Sequence, residues 1–213
     1  ASNNVGIGDS NLYSNTTGDR NTSMGINALY TNSTASNNCA FGANALGSNT
    51  TGSENCAVGK DALTGCTTGA SNNAFGHTAL DAAVTGDNNT AIGKNTLSDN
   101  TSGQQNVAVG SQAWEENTTG SNNTAVGHAA LENGTAGSNN TGIGMASLFN
   151  TTASNNVAVG ELALYANTTG SDNVAVGGNA LDANTTGYYN TAVGRNALTA
   201  NTTGYSNVAI GWK

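Results

Sequence analysis

Apolar residues in this chain recur in one short phrase: asparagine, a variable residue, a small residue, a large apolar residue, then glycine. Asn190-Thr191-Ala192-Val193-Gly194 is a regular instance, and the phrase returns thirteen times. Its closing glycine falls at Gly8, Gly25, Gly42, Gly59, Gly76, Gly93, Gly110, Gly127, Gly144, Gly160, Gly177, Gly194 and Gly211. Every step is seventeen residues except Gly144 to Gly160, which is sixteen. So strict a period predicts one supersecondary unit stacked on its own copies.

With each closing glycine as zero, the columns separate cleanly. Position −4 is always asparagine, −2 is Ala, Gly or Ser, and −1 is always apolar, from Ile7 to Ile210. Position +3 is mostly alanine, and +4 is leucine in every full copy except one, where Trp114 stands. Position +7 is usually asparagine, +8 and +9 threonine, and +10 glycine. Alternation over −3 to −1 predicts a short strand at −4 to −1, because successive side chains change face. A turn follows at the zero glycine; a second extended piece carries +3 and +4, and a third carries Asn-Thr-Thr. Helix is disfavoured by glycine at such short intervals.

The expected fold is all-β: a parallel β-solenoid, or β-roll, of about twelve 17-residue coils, one body over 1–213 with no separate domain. At a strand spacing of ~4.8 Å the stack would reach roughly 60 Å. Columns −1 and +4 are expected to form the core, with an apolar seam between chains as the other use of such columns. The asparagines are expected to turn the chain and to bond along the stack as ladders. The sixteen-residue repeat reads as a coil tightened at one corner.

Composition narrows the function. Charged residues are 8% of the chain, proline is absent, and the net charge is −8. Five basic residues in 213 argue against nucleic acid and anionic membrane surfaces as partners. No apolar run approaches bilayer length, so membrane insertion is not expected. No signal peptide is recognisable, and a chain opening and closing within a repeat reads as a mature fragment or excised module. Every Asp, Glu, Lys and Arg falls at +1, +2, +5, +6, +11 or +12, with Lys213 completing the set. Charge is confined to corners.

Catalytic chemistry has little foothold. His77 and His128 both sit at +1, and no triad or paired carboxylates accompany them. The expectation is no enzyme and no cofactor. No CxxC pair or EF-hand loop occurs, so no metal is expected either. Cys39 and Cys56 share a column on adjacent coils, while Cys66 replaces the asparagine of +7; small buried or half-buried thiols are expected, with a Cys39–Cys56 disulfide across the strand spacing as the alternative. The six tyrosines, Tyr13, Tyr30, Tyr165, Tyr188, Tyr189 and Tyr205, lie at corners, where stacking on sugars is one use and the expected one is to cap exposed edges as isolated surface aromatics.

The threonines are the candidate site. Position +8 holds Thr16, Thr50, Thr67, Thr101, Thr118, Thr135, Thr168, Thr185 and Thr202, with Ser33 and Val84 departing. Position +9 holds Thr17, Thr34, Thr51, Thr68, Thr85, Thr119, Thr169, Thr186 and Thr203, with Ser102 and Ala136 departing; the short repeat adds Thr151 and Thr152. Strand alternation would turn one file out and the other in, whereas a corner would expose both. An outward file makes a rigid, uncharged template for many weak simultaneous contacts. Equally, threonine suits strands, and its hydroxyl satisfies turn backbone.

The phrase, followed by Ala-Leu and Asn-Thr-Thr-Gly, covers essentially the whole chain and resembles the repeat class of ice-binding proteins of polar microalgae and microbes. It is also similar to the left-handed β-roll heads of trimeric autotransporter adhesins and to phage tail-fibre repeats. The first resemblance implies a secreted protein adsorbing to an ice crystal surface through its threonines. The alternative is a structural or adhesive β-roll stalk at a cell surface, a homo-oligomer and specifically a trimer. Asn-x-Thr/Ser sequons recur at Asn15, Asn49, Asn100, Asn117, Asn167, Asn184 and Asn201, where glycans would crowd the threonines. Ice binding therefore predicts little glycan occupancy.

Overall fold

The structure, a computed structural model, describes residues 1–212. Lys213 lies outside the described residues. The chain is an all-β parallel solenoid with one three-residue strand per coil, each spanning −3 to −1. It divides into two compact units, 1–105 and 106 onward.

The first unit holds β1 (Val5–Ile7), β2 (Thr22–Met24), β3 (Cys39–Phe41), β4 (Cys56–Val58), β5 (Asn73–Phe75) and β6 (Thr90–Ile92). The second holds β7 (Val107–Val109), β8 (Thr124–Val126), β9 (Thr141–Ile143), β10 (Val157–Val159), β11 (Val174–Val176), β12 (Thr191–Val193) and β13 (Val208–Ile210). Within each unit neighbouring strands pair in parallel, like column on like: Ala40 opposite Ala57, Ala175 opposite Ala192. The short coil leaves this register intact, with Thr141 opposite Val157 and Ile143 opposite Val159.

Each strand stops at the zero glycine for a steric reason. Gly127 has φ of 134°, and a Cβ there would lie 2.6 Å from the carbonyl oxygen of Gly144 on the next coil. No other residue combines that backbone angle with so close an approach.

The core is thinner than the sequence suggested. Alanine at −2 and +3 and leucine at +4 are buried, for example Ala57, Ala62 and Leu63. The −1 file, expected inside, faces outward: Met24 is 46% exposed, Ile92 42% and Ile143 40%. A three-residue strand whose middle side chain points in must turn its two flanking side chains out. Space behind the sheet accepts only a small side chain (alanine, glycine or serine) at −2.

The second expected extended piece is instead a turn. Residues at +2 and +4 take left-handed backbone angles, as at Asn44 (φ 59°) and Leu46 (φ 52°). A third left-handed residue precedes each −4 asparagine, as at Asn37 (φ 62°). The −4 asparagines therefore do not supply the turn angle expected of them, but they do form the ladder. The Asn38 amide N–H donates to Asn21 Oδ1 at 2.9 Å, and Asn38 Nδ2 donates to the Gly52 carbonyl at 3.0 Å. The +7 asparagines form a second ladder: Asn49 Nδ2 donates to Asn32 Oδ1 at 3.0 Å and to the Gly52 carbonyl at 2.9 Å. Buried amides are tolerable where they find such partners. These bonds offset the unfavourable backbone angles, which cost about 1–3 kcal/mol apiece.

Two departures from the repeat are compensated or left open. Trp114 fills a leucine place in the core, and its Nε1 donates to the Gly134 carbonyl of the next coil. Gly134 stands where +7 usually carries asparagine, and a Cβ there would lie 3.1 Å from the indole nitrogen. Gly142 then replaces the −2 alanine beside Leu131, whose Cδ1 would collide with a Cβ. Cys66, by contrast, breaks the +7 ladder. Its thiol donates to the Gly69 carbonyl at 3.5 Å, leaving Asn49 Oδ1 buried without a hydrogen bond.

Candidate functional site

Both threonine files lie at the surface, because this segment is a corner and not a strand. The +9 file, including Thr17, Thr34, Thr51, Thr68, Thr119, Thr169, Thr186 and Thr203, is exposed throughout. The +8 threonines are half-buried to exposed, and the hydroxyls of Thr16, Thr50, Thr118, Thr168 and Thr185 are occupied. Thr16 Oγ1 donates to the Ser33 carbonyl at 2.9 Å, Thr50 to Thr67 at 2.9 Å, Thr118 to Thr135 at 2.9 Å, Thr168 to Thr185 at 3.0 Å and Thr185 to Thr202 at 3.1 Å. These bonds lock one coil to the next.

Three places interrupt the files. Val84 turns inward to a fully buried position, and Thr85 takes the +8 role by donating to the Thr101 carbonyl at 3.1 Å. In the short coil Thr151 is buried at 1% exposure, where its Oγ1 accepts from Asn167 Nδ2 at 3.1 Å in place of a ladder asparagine. Only Thr152 remains outward there, so the missing residue of that coil is one threonine of the pair. Ala136 leaves a gap in the +9 file.

Sequence reasoning missed the sheet face. Position −1 forms an outward apolar file, and −3 runs parallel to it at about 6.6 Å, two residues along the strand. The −3 file carries Thr22, Thr90, Thr124, Thr141 and Thr191 among valines, plus Cys39, Cys56 and Asn73. Neither file holds a charge. The signal available in the sequence was the obligate small residue at −2, which only an inward position requires.

The remaining candidates settle into structural places. Cys39 and Cys56 are half-buried free thiols on paired strands, and Cys66 is a buried one. Burial, with Cys39 beside it, pushes the Cys56 thiol up to about 11, and burial pushes Cys66 up to about 12. The tyrosines are not isolated. Tyr13 stacks on Tyr30 with centroids 5.3 Å apart, Phe149 on Tyr165 at 5.1 Å and Tyr188 on Tyr205 at 5.1 Å. His77 and His128 are exposed and belong to different units. The sequon asparagines Asn49, Asn100, Asn117, Asn167 and Asn184 are fully buried in the ladder, so a glycan there is incompatible with the folded coil. Among the described residues no group of three or more His, Cys, Asp or Glu could hold a metal ion.

Comparison with protein-family models, with curated proteins and with solved structures returned no match.

Proposed function

We propose that the chain is a structural stalk that associates with further copies of itself through its sheet face. The observation carrying this reading is the outward −1 file, apolar in all thirteen coils and flanked by an uncharged −3 file. A contiguous apolar strip is costly in water at about 25 cal/mol per Å², and strips of this kind mark interfaces. Charge is kept off the strip and held at the corners, where it maintains solubility. Varied shapes along the file (Met24, Phe41, Val58, Phe75 and Ile92 in succession) suit packing against a neighbour better than matching a lattice. A trimer is the arrangement that the adhesin and tail-fibre resemblance implies, and it places the protein at a cell or virion surface.

A second reading, ice adsorption through the threonine corner, is favoured by one observation: both files are outward and uncharged. It is weakened by the +8 hydroxyls of Thr16, Thr50, Thr118, Thr168 and Thr185, already donated to backbone, and by the interruption of the +9 file at Ala136.

Native cysteines separate the two readings. Cys39 and Cys56 lie in the −3 file, so assembly shields their thiols from maleimide. Met24→Lys with Ile92→Lys alters only exposed side chains of the strip and should raise the labelling rate about tenfold, while circular dichroism stays unchanged. Equal rates in wild type and variant would sink the stalk reading. Thermal hysteresis in freezing solutions of wild type, lost on Thr119→Lys with Thr186→Lys, would support adsorption to ice instead.

A further inference from the structure

Around the corner from the sheet face, the second unit carries a groove of about 600 Å³ between its +2 and +5 files. The first unit has the same channel in polar form, lined by Asn27, Asn44 and Thr64 among others. There the +2 residues bond along the stack: Asn27 Nδ2 donates to Asn44 Oδ1 at 3.3 Å, and Asn44 Nδ2 to Asp61 Oδ1 at 2.8 Å. In the second unit three successive coils abandon this file, placing Ala129, Ala146 and Leu162 at +2. All three keep the left-handed backbone, with φ of 58°, 50° and 56°. Asparagine tolerates that conformation better than alanine or leucine does. Each replacement thus gives up a ladder bond and fits its backbone less well.

The opposite wall is aromatic at the same height, at a column that varies along the chain and holds a like pair, Tyr13 on Tyr30, in the first unit. Phe149 and Tyr165 occupy +5 on successive coils with rings stacked at an interplanar angle of 23°. Glu132 and Asp182 continue the +5 file on either side of the ring pair, and neither Lys nor Arg lines the groove. In the second unit alone, therefore, a stacked ring pair faces a +2 file stripped of its amides across one channel. Their chemistry is consistent: an apolar floor, an aromatic wall and a carboxylate at each end.

We infer that this groove binds a small organic cation with an apolar body, an aryl or alkyl ammonium. Its body rests on the alanine and leucine floor, and its charge lies between the ring pair and a carboxylate. An ammonium gains from the ring quadrupole and from the carboxylate together. A sugar would need hydrogen-bonding groups that this floor lacks. Burial, and then Glu115, hold the Glu132 carboxyl above its ordinary range, with Glu116 acting the same way and His128 opposing. Affinity therefore falls as pH drops through that raised value and the carboxylate takes up a proton.

Isothermal titration of the whole chain with benzyltrimethylammonium, and with benzyl alcohol as the neutral comparison, tests the proposal. The expected result is saturable binding of the ammonium, about tenfold tighter than the alcohol, weakened by Glu132→Gln with Asp182→Asn. Ala146→Asn with Leu162→Asn restores the residue type of the other coils. This variant should lose the ammonium while its melting temperature holds or rises. Equal affinity for ammonium and alcohol, no saturable binding, undiminished binding in the asparagine variant, or displacement of the ammonium by a methyl glycoside would each overturn the proposal.

Discussion

At the scale of single residues, the coil is governed by amides that must find partners, and Cys66 shows what one missing amide does. Its thiol reaches the Gly69 carbonyl but offers nothing to Asn49 Oδ1, which is left buried and unbonded. Cys66→Asn supplies the donor while keeping the bond to Gly69. The change should stabilise the first unit by about 1–2 kcal/mol, the cost of one unsatisfied buried acceptor. Denaturant unfolding would read it, and an unchanged or lower midpoint would contradict the ladder account. Trp114 gives a paired prediction. Trp114→Leu alone should cost about 2–4 kcal/mol through the cavity it leaves. Gly134→Asn alone should be destabilising too, since a Cβ there would lie 2.6 Å from the Thr151 carbonyl oxygen and 3.1 Å from the indole nitrogen. Together they recreate the ordinary coil, so the double variant should be more stable than the two single effects sum to. None of this coupling was readable from Trp114 or Gly134 taken separately. It follows from which residues stack.

At the scale of the element, the period, the strand, the parallel register and the stacked asparagines were all legible in the sequence. A seventeen-residue repeat leaves few other ways to place like residues together. The faces were not. A strand of three residues contains a single alternation, which fits equally well with −2 inside or with −3 and −1 inside. The large side chains at −1, such as Phe41 and Ile92, argue for the wrong choice because burial is the usual fate of such residues. The room between sheet and turn decides it, and that room depends on the left-handed leucines, which no propensity anticipates. The threonine corner was found, but not the division of labour within it. Thr118→Ala and Thr185→Ala remove donors to the Thr135 and Thr202 carbonyls and should each cost about 1 kcal/mol. Thr119→Ala and Thr186→Ala, in the exposed file, should stay within about 0.5 kcal/mol of wild type. Chemical denaturation of the four variants would check the contrast.

At the scale of the whole molecule, the fold sorts its side chains by what each face must do. Charges stand at corners, amides bond along the stack, and in each unit the sheet turns an apolar file outward. The stalk proposal gives such a surface, on a chain carrying a net charge of −8, a partner with the same surface. The strip holds no charge that would oppose close approach of copies. Sedimentation equilibrium at micromolar concentration tests this most directly. The stalk account predicts a particle three times the 21.1 kDa of one chain, returning to one chain in the Met24→Lys, Ile92→Lys variant. A wild-type protein that sediments as a single chain of 21.1 kDa at every concentration would contradict it.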